Sequence, residues 1–200
     1  MAMDGNEHGR STTGLRADAG WADAGWADAG ANGAAAPAGE DGRAYRQALG
    51  RFATGVAVVT CRDATGRPAG LTVNSFTSVS LAPPLVLWCL EKTSPSLAMF
   101  TTCGHFAINI LDVSQRPLSD VFADPTADRF AGLPVEDGLG RAPLLPGCLA
   151  QFECALDTVH DGGDHVILIG AVRRYRQRAG DPLIYFSGGY RDLGGTGAGG

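Results

Sequence analysis

The chain has 200 residues, 44% of them hydrophobic, with 16 Lys and Arg against 21 Asp and Glu and a formal net charge of −5. That length is enough for one domain with a core of its own, and a mildly acidic chain without clustered basic residues does not suit nucleic acid as a partner. The longest apolar run, Pro84–Leu90, is too short to span a bilayer, so no membrane association is expected, and the start lacks a basic segment followed by an apolar one, which points to a cytoplasmic location.

Residues 1–42 form an arm rich in Ala, Gly and Asp with a tandem Trp-Ala-Asp-Ala-Gly repeat at Trp21 and Trp26. Its five-residue period cannot bury enough apolar surface to offset the entropy of ordering, so the arm reads as disordered. The folded unit then covers residues 43–193, and the glycine-rich residues 194–200 read as a flexible tail. Tyr45, Ala48, Leu49 and Phe52 fall on one apolar helical stripe and predict a helix over Arg43–Ala53, weakened by Gly50. The β-branched run Val56–Cys61 predicts a strand. Arg62–Pro68 predicts a hairpin loop and Ala69–Val73 the returning strand.

Thr72, Asn74, Ser75, Thr77, Ser78 and Ser80 then read as a polar loop, closed by Pro83-Pro84 before the strand Leu85–Leu90. Two readings of that loop stand side by side: hydroxyls that favour turns, or neutral donors gathered for a flat polar ligand such as an isoalloxazine ring. Ser94-Pro95 predicts a helix start, with serine as N-cap and proline at N1, leading into Leu97, Met99 and Phe100. Phe106–Leu111 is the next strand and Gln115–Phe122 a further short helix. Asp124–Pro146 carries four prolines and reads as a long loop, which in a compact domain is more often functional than idle.

Leu149–Val159 and Val166–Tyr175 predict two strands joined by the turn Asp161-Gly162-Gly163-Asp164, and Pro182–Phe186 one more. About seven strands and three short helices predict a barrel or sandwich, and no βαβ rhythm supports a Rossmann fold. Five cysteines, at 61, 89, 103, 148 and 154, contain no Cys-x-x-Cys pair and suit reduced thiols rather than zinc or disulfides. His160-Asp-Gly-Gly-Asp-His165 admits three readings: a metal pair that lacks a third convergent ligand, a charged hairpin tip, or a site in which Asp164 orients His165.

Several motifs occur in order: Phe52-Ala-Thr-Gly-Val-Ala-Val-Val-Thr60, Gly70-Leu-Thr-Val-Asn-Ser-Phe-Thr-Ser-Val-Ser80, Pro83-Pro84-Leu85-Val86, Phe106-Ala-Ile-Asn-Ile-Leu111, Gly163-Asp164-His165 and Pro182-Leu183-Ile184-Tyr185. In this order and spacing they resemble the flavin reductase-like family, the reductase components of two-component flavin-dependent monooxygenases, over about Tyr45–Tyr190. The resemblance implies a mainly β fold, an FMN-binding split β-barrel with a few short helices, assembled as a homodimer. It implies transfer of a hydride from NADH to FMN or FAD, with the reduced flavin supplied to a partner monooxygenase.

Residue by residue, the resemblance places Ala69, Gly70, Leu71, Thr72, Asn74 and Ser75 along the isoalloxazine and ribityl chain. Cys89, Leu90 and Glu91 would offer backbone contacts at the ring edge. Lys92, Ser94 and Ser96 would surround the flavin phosphate, and Phe122 would stand near the distal end of the flavin. His165 is the implied catalytic position, a positioning group for the nicotinamide nucleotide, with Asp164, Tyr185, Phe186, Ser187 and Gly188 bordering the same site. Relatives often carry arginine where Ser187 stands, which favours NADH over NADPH. A non-catalytic flavin- or haem-binding protein and a pyridoxamine phosphate oxidase-like enzyme are the alternatives on such a barrel; no metal site is implied.

Overall fold

The computed structural model describes residues 42–193; the arm with its Trp repeat and the tail, residues 1–41 and 194–200, lie outside the described residues. In chain order the elements are α1 (Gly42–Leu49), β1 (Thr54–Gly55), β2 (Ala57–Arg62), β3 (Pro68–Val73), β4 (Thr77–Leu81), β5 (Pro84–Glu91), α2 (Leu97–Thr102), β6 (His105–Ile110) and α3 (Arg116–Ala123). They continue with β7 (Glu136–Asp137), β8 (Pro143–Leu144), β9 (Ala150–Gly162), β10 (His165–Gln177), β11 (Ile184–Phe186) and β12 (Gly189–Arg191). Among the described residues no helix is long and apolar enough to cross a membrane.

Seven strands form one antiparallel sheet in the order β3-β2-β6-β9-β10-β5-β4. Five strand spacings separate β3 from β5, roughly 24 Å in a flat sheet. Yet Ala69, Leu71 and Val73 from β3 share one core cluster with Val86, Trp88 and Leu90 from β5. The sheet therefore curls on itself, which gives the expected mainly β split barrel. Irregular register at Ile169/Gly170 and at Val172/Arg174 in the long β9–β10 pair supplies bends for that curl. Gly170 is needed at one of them, because a Cβ there would meet the ring of Phe106 and lie 3.0 Å from Cys154 Cβ.

Strand β2 is the wall between two cores. Ala57, Val59 and Cys61 point into the barrel with Trp88, Phe100, Phe106 and Ile108. On the other face Val56, just before the strand, and Val58 join Leu111, Phe122, Leu145 and Leu183. Period-two alternation thus serves both sides of one strand, and each large apolar side chain buried completely contributes roughly 1.5–3 kcal/mol. Asn109, fully buried on β6, donates to Val58 O and Thr60 Oγ1 and accepts from Leu145 N–H and the Gln151 amide. That network fastens the segment after β8 to the barrel wall.

Several local expectations are corrected. The first helix ends at Leu49, where Gly50 opens a turn, and it buries none of its residues: Tyr45, Leu49 and Phe52 are exposed. The stretch read as a polar loop contains the edge strand β4, whose Thr77 and Ser78 pair with Leu87 and Val86 of β5. The α2 N-cap is Ser96 rather than Ser94, so Pro95 precedes the helix instead of opening it. The α3 helix is preceded by a one-turn helix at Val113–Gln115, capped by Asp112 through a reciprocal box with Gln115. The turn between β9 and β10 is two residues long, Gly163-Asp164, with Gly163 at φ 80, and sets His165 opposite Glu91 on β5.

Candidate functional site

A cavity of about 950 Å³ opens between β3 on one side and the β5–α2 connection on the other, within the range of small-molecule sites. Thirteen predicted site residues line it: Ala69, Gly70, Leu71, Thr72, Asn74, Ser75, Cys89, Leu90, Glu91, Ser94, Ser96, Phe122 and His165. Their convergence follows from topology. Strand β3 is an edge strand, bonded only to β2, and β4 covers β5 only as far as Thr77 opposite Leu87.

The two open edges carry the site's backbone donors. Gly70 turns its C=O away from β2, because that oxygen accepts from Arg129 Nη1 at 2.6 Å. In an extended strand a residue's N–H and C=O point to the same side, so Gly70 and Thr72 present their N–H groups to the open edge. On β5, Cys89 N–H donates to Ser75 Oγ at 3.0 Å, and the same hydroxyl lies 3.3 Å from Cys89 O as donor. One side chain thus takes the place of a missing strand rung. Two residues on, Glu91 O accepts from Ser94 N–H, and the Glu91 N–H faces the same open side.

This donor set differs from the hydroxyl-rich loop expected from sequence. Thr72 Oγ1 donates to Ser119 O at 2.7 Å and Ser75 Oγ is engaged with Cys89, so both hydroxyls serve the protein itself. On the β3–β4 side, the neutral donors left to a ligand are backbone N–H groups and the amide of exposed Asn74, with the Ser94 and Ser96 hydroxyls across the cavity. Gly70 has no room for a side chain: a Cβ would lie 2.5 Å from Phe122 Cε1 and 3.2 Å from Phe130 Cζ. Phe122 is fully buried, edge-on to Phe130 with ring centroids 5.2 Å apart, and closes that wall.

His165 stands at the rim, half-buried at the start of β10. Its Nδ1 lies 2.7 Å from Asp164 Oδ1, and that bond holds the Asp164 carboxyl below its usual range. An ionised carboxylate only accepts, so Nδ1 carries the hydrogen and Nε2 is left to meet a ligand. Lys92 does not line the cavity: its ammonium is paired with Asp161 at the hairpin tip, lowering the Asp161 carboxyl. Burial raises the Cys89 thiol, which argues against thiolate chemistry there.

Tyr185, Phe186, Ser187 and Gly188 are not brought to His165. They belong to the small sheet β1-β11-β12, where Ser187, at φ 48, donates its N–H to Gly50 O. Ser187 and Gly188 line a second cavity of about 670 Å³ together with Arg43, Arg46 and Arg51. Sequence reasoning missed Arg67, Asp128, Arg129 and Phe130 in the main cavity; the only signal for the last three was the length of the loop that holds them.

A planar ring that accepts hydrogen bonds along its edge fits this donor set, and uncommitted Ser96 with the Arg129 cation suits an anionic tail. A flavin has both features. The model of the family described as "Flavin reductase like domain" matches residues 49–194. The chain is 48% identical over 153 residues to FMN reductase (NADH) SmoA of Agrobacterium fabrum, covering 76% of this chain and 86% of that protein. It is 46% identical over 149 residues to the reductase component of the flavin-dependent trigonelline monooxygenase of Acinetobacter baylyi, covering 74% of this chain. The chain spans 48% of the length of that protein and of a probable flavin reductase of Rhizobium meliloti. Among solved structures, the Streptomyces globisporus NADH:FAD oxidoreductase SgcE6 in complex with NAD and FAD fragments superposes with a TM-score of 0.73 at 36% identity, covering 77% of this chain and 93% of that one.

Proposed function

This chain belongs to the flavin reductase like family, and we propose that it is an NADH-dependent flavin reductase that reduces FMN or FAD and hands the reduced flavin to a partner monooxygenase. The reaction is NADH + H⁺ + oxidised flavin → NAD⁺ + reduced flavin. The observation that carries the reading is the cavity between two open strand edges with an oriented imidazole at its rim, in a chain whose family match spans that whole barrel.

A bound flavin supplies the acceptor for the hydride. The chain's residues supply position and electrostatics. The N–H groups of Gly70, Thr72 and Glu91 would hold the ring edge and favour negative charge there without moving a proton. Phe122 and Phe130 keep water from that wall. Asp164 holds His165 through Nδ1, and the Nε2 of His165 would be free to hydrogen-bond the nicotinamide carboxamide. Ser187 and Gly188, on the second cavity, stay outside this ring-stacking site.

NADH is proposed as donor, supported by the names of the Agrobacterium and Streptomyces relatives. The absence of arginine at 187 is weaker support than it looked in the sequence, because Arg43, Arg46 and Arg51 line the same cavity as Ser187. The partner monooxygenase is supported by the name of the Acinetobacter relative. A homodimer is supported by the apolar side chains left exposed, Tyr45, Leu49, Phe52 and Leu81, the last 92% exposed.

The test is NADH and NADPH oxidation by the purified full chain, followed without oxygen, with and without FMN, FAD or riboflavin. Flavin-dependent oxidation that prefers NADH is expected. A protein that binds flavin yet never accelerates oxidation of either nucleotide would be a carrier, and the reductase reading would fall.

A further inference from the structure

Three cations stand at or near the main cavity, and they differ in what already neutralises them. Lys92 is paired with Asp161 and directed away from the cavity. Arg67, at the mouth, is 74% exposed in its side chain and lies 3.5 Å from Asp63 Oδ2. Arg129 is half-buried in the cavity wall and makes no ion pair among the described residues. Its hydrogen bonds go to carbonyl oxygens only: Nη1 to Gly70 O at 2.6 Å, and Nε and Nη2 to Asp124 O at 3.1 and 3.0 Å.

A guanidinium has five N–H donors, so two remain unspent. The Asp124 carboxylate is near enough to favour the charge but makes no ion pair with it; its Oδ1 accepts from Thr126 N–H and Oγ1 at 2.8 and 2.7 Å. Asp128, the other acid in the cavity wall, is exposed and makes no hydrogen bond to it. Burial disfavours the charged form of Arg129 and lowers its pKa. A partly desolvated cation with spare donors and no ion pair among the described residues is completed by an anion, and the planar fork suits phosphoryl oxygens.

We infer that Arg129 binds the flavin phosphate, the monophosphate of FMN or the pyrophosphate of FAD, on the same open edge of β3 as the N–H groups that would hold the ring. The inference rests on the flavin reading above. It moves the charged anchor from Lys92, where resemblance places it, to a loop residue that bonds the flavin-lining strand directly. The same guanidinium also ties the 124–130 segment to Gly70.

The test compares dissociation constants of riboflavin, FMN and FAD for the wild-type full chain, Arg129→Ala and Arg129→Lys, by quenching of flavin fluorescence. Wild type is expected to hold FMN at least about tenfold more tightly than riboflavin, the scale of a charge-assisted hydrogen bond. Arg129→Ala should erase most of that preference while riboflavin affinity stays within about twofold; Arg129→Lys, which keeps the charge without the fork, should fall between. Losses for both phosphorylated flavins place the cation at the phosphate they share, and a loss for FAD alone places it at the second phosphate; either supports the inference. Equal losses for riboflavin and FMN would mean that Arg129 only ties the loop, and unchanged affinities would mean that it faces no anion; either overturns it. If wild type binds none of the three, the flavin reading fails first and the inference with it.

Discussion

Gly70→Ala is expected to destabilise the protein and weaken flavin binding, although backbone entropy alone favours alanine. At a site with room for a methyl group, the change would stabilise by about 0.4–1 kcal/mol through the unfolded chain. Here the new Cβ would lie 2.5 and 2.9 Å from two atoms of the Phe122 ring and 3.2 Å from Phe130. Phe122 has no exposed surface and stands edge-on to Phe130, so the ring cannot swing clear. Overpacking of this kind costs about 1–3 kcal/mol, which leaves a net loss of roughly 1–2 kcal/mol and lowers Tm by about 2–8 °C at this size. The same displacement pushes the 124–130 segment off β3 and weakens flavin binding several-fold. Thermal unfolding and flavin titration measure both effects. The cost should shrink in a Phe122→Leu background, because the two sites share one contact. A Gly70→Ala protein with a higher Tm and unchanged flavin affinity would refute the packing argument.

His165→Ala should raise the KM for NADH by about tenfold or more, the worth of a hydrogen bond to a charged or strongly polar group, and leave the flavin dissociation constant within about threefold; steady-state kinetics beside flavin titration separate the two. Asp112→Ala should cost about 1–2 kcal/mol, because Asp112 caps the turn at Val113–Gln115 and pairs with Arg178 Nη2 at 2.8 Å. The Ser114 hydrogen bonds, with Arg178, hold the Asp112 carboxyl below its usual range. Its stabilisation is therefore complete above the unfolded value of about 4 and is lost as pH falls through the depressed folded value. Urea midpoints at neutral and acid pH should show a shallower acid decline in the variant. Sedimentation at micromolar concentration should report a dimer, and Leu81→Asp, on the exposed edge strand, should shift it toward monomer if that face is the one covered.

What could be read from the chain divides by whether the cause is local. Strand β5 is plain because Leu85–Leu90 is an unbroken apolar run after Pro83-Pro84, and the β9–β10 hairpin is plain because Asp161-Gly162-Gly163-Asp164 favours a tight turn. Strand β4 was hidden, since Thr77, Ser78 and Ser80 carry no apolar alternation and become a strand only by pairing with β5. The stripe of α1 is legible as apolar, but its exposure is not, because a stripe says nothing about what covers it. At the site, the cluster Ala69–Ser75 with Cys89–Glu91 and His165 was legible as a set. The groups that face a ligand were not: the hydroxyls of Thr72 and Ser75 are spent on carbonyls 47 and 14 residues away. Lys92 leaves the site for a partner 69 residues on, and Arg129 enters it through a carbonyl 59 residues back. No spacing rule reaches across such separations.

The hydroxyl of Ser75 also bears on how this strand edge is kept from pairing with a stray chain. A bare rung on β5 beside the cavity would offer N–H and C=O to any extended chain, including another copy of the same strand. By occupying both groups of Cys89 with one short side chain, Ser75 denies that register to a peptide while leaving the slot open to a flat molecule with no backbone to zip. Replacing it with alanine would leave the cavity's shape nearly intact. The cost would appear as slow polymerisation on storage and a strand-rich precipitate, long before it appeared in turnover.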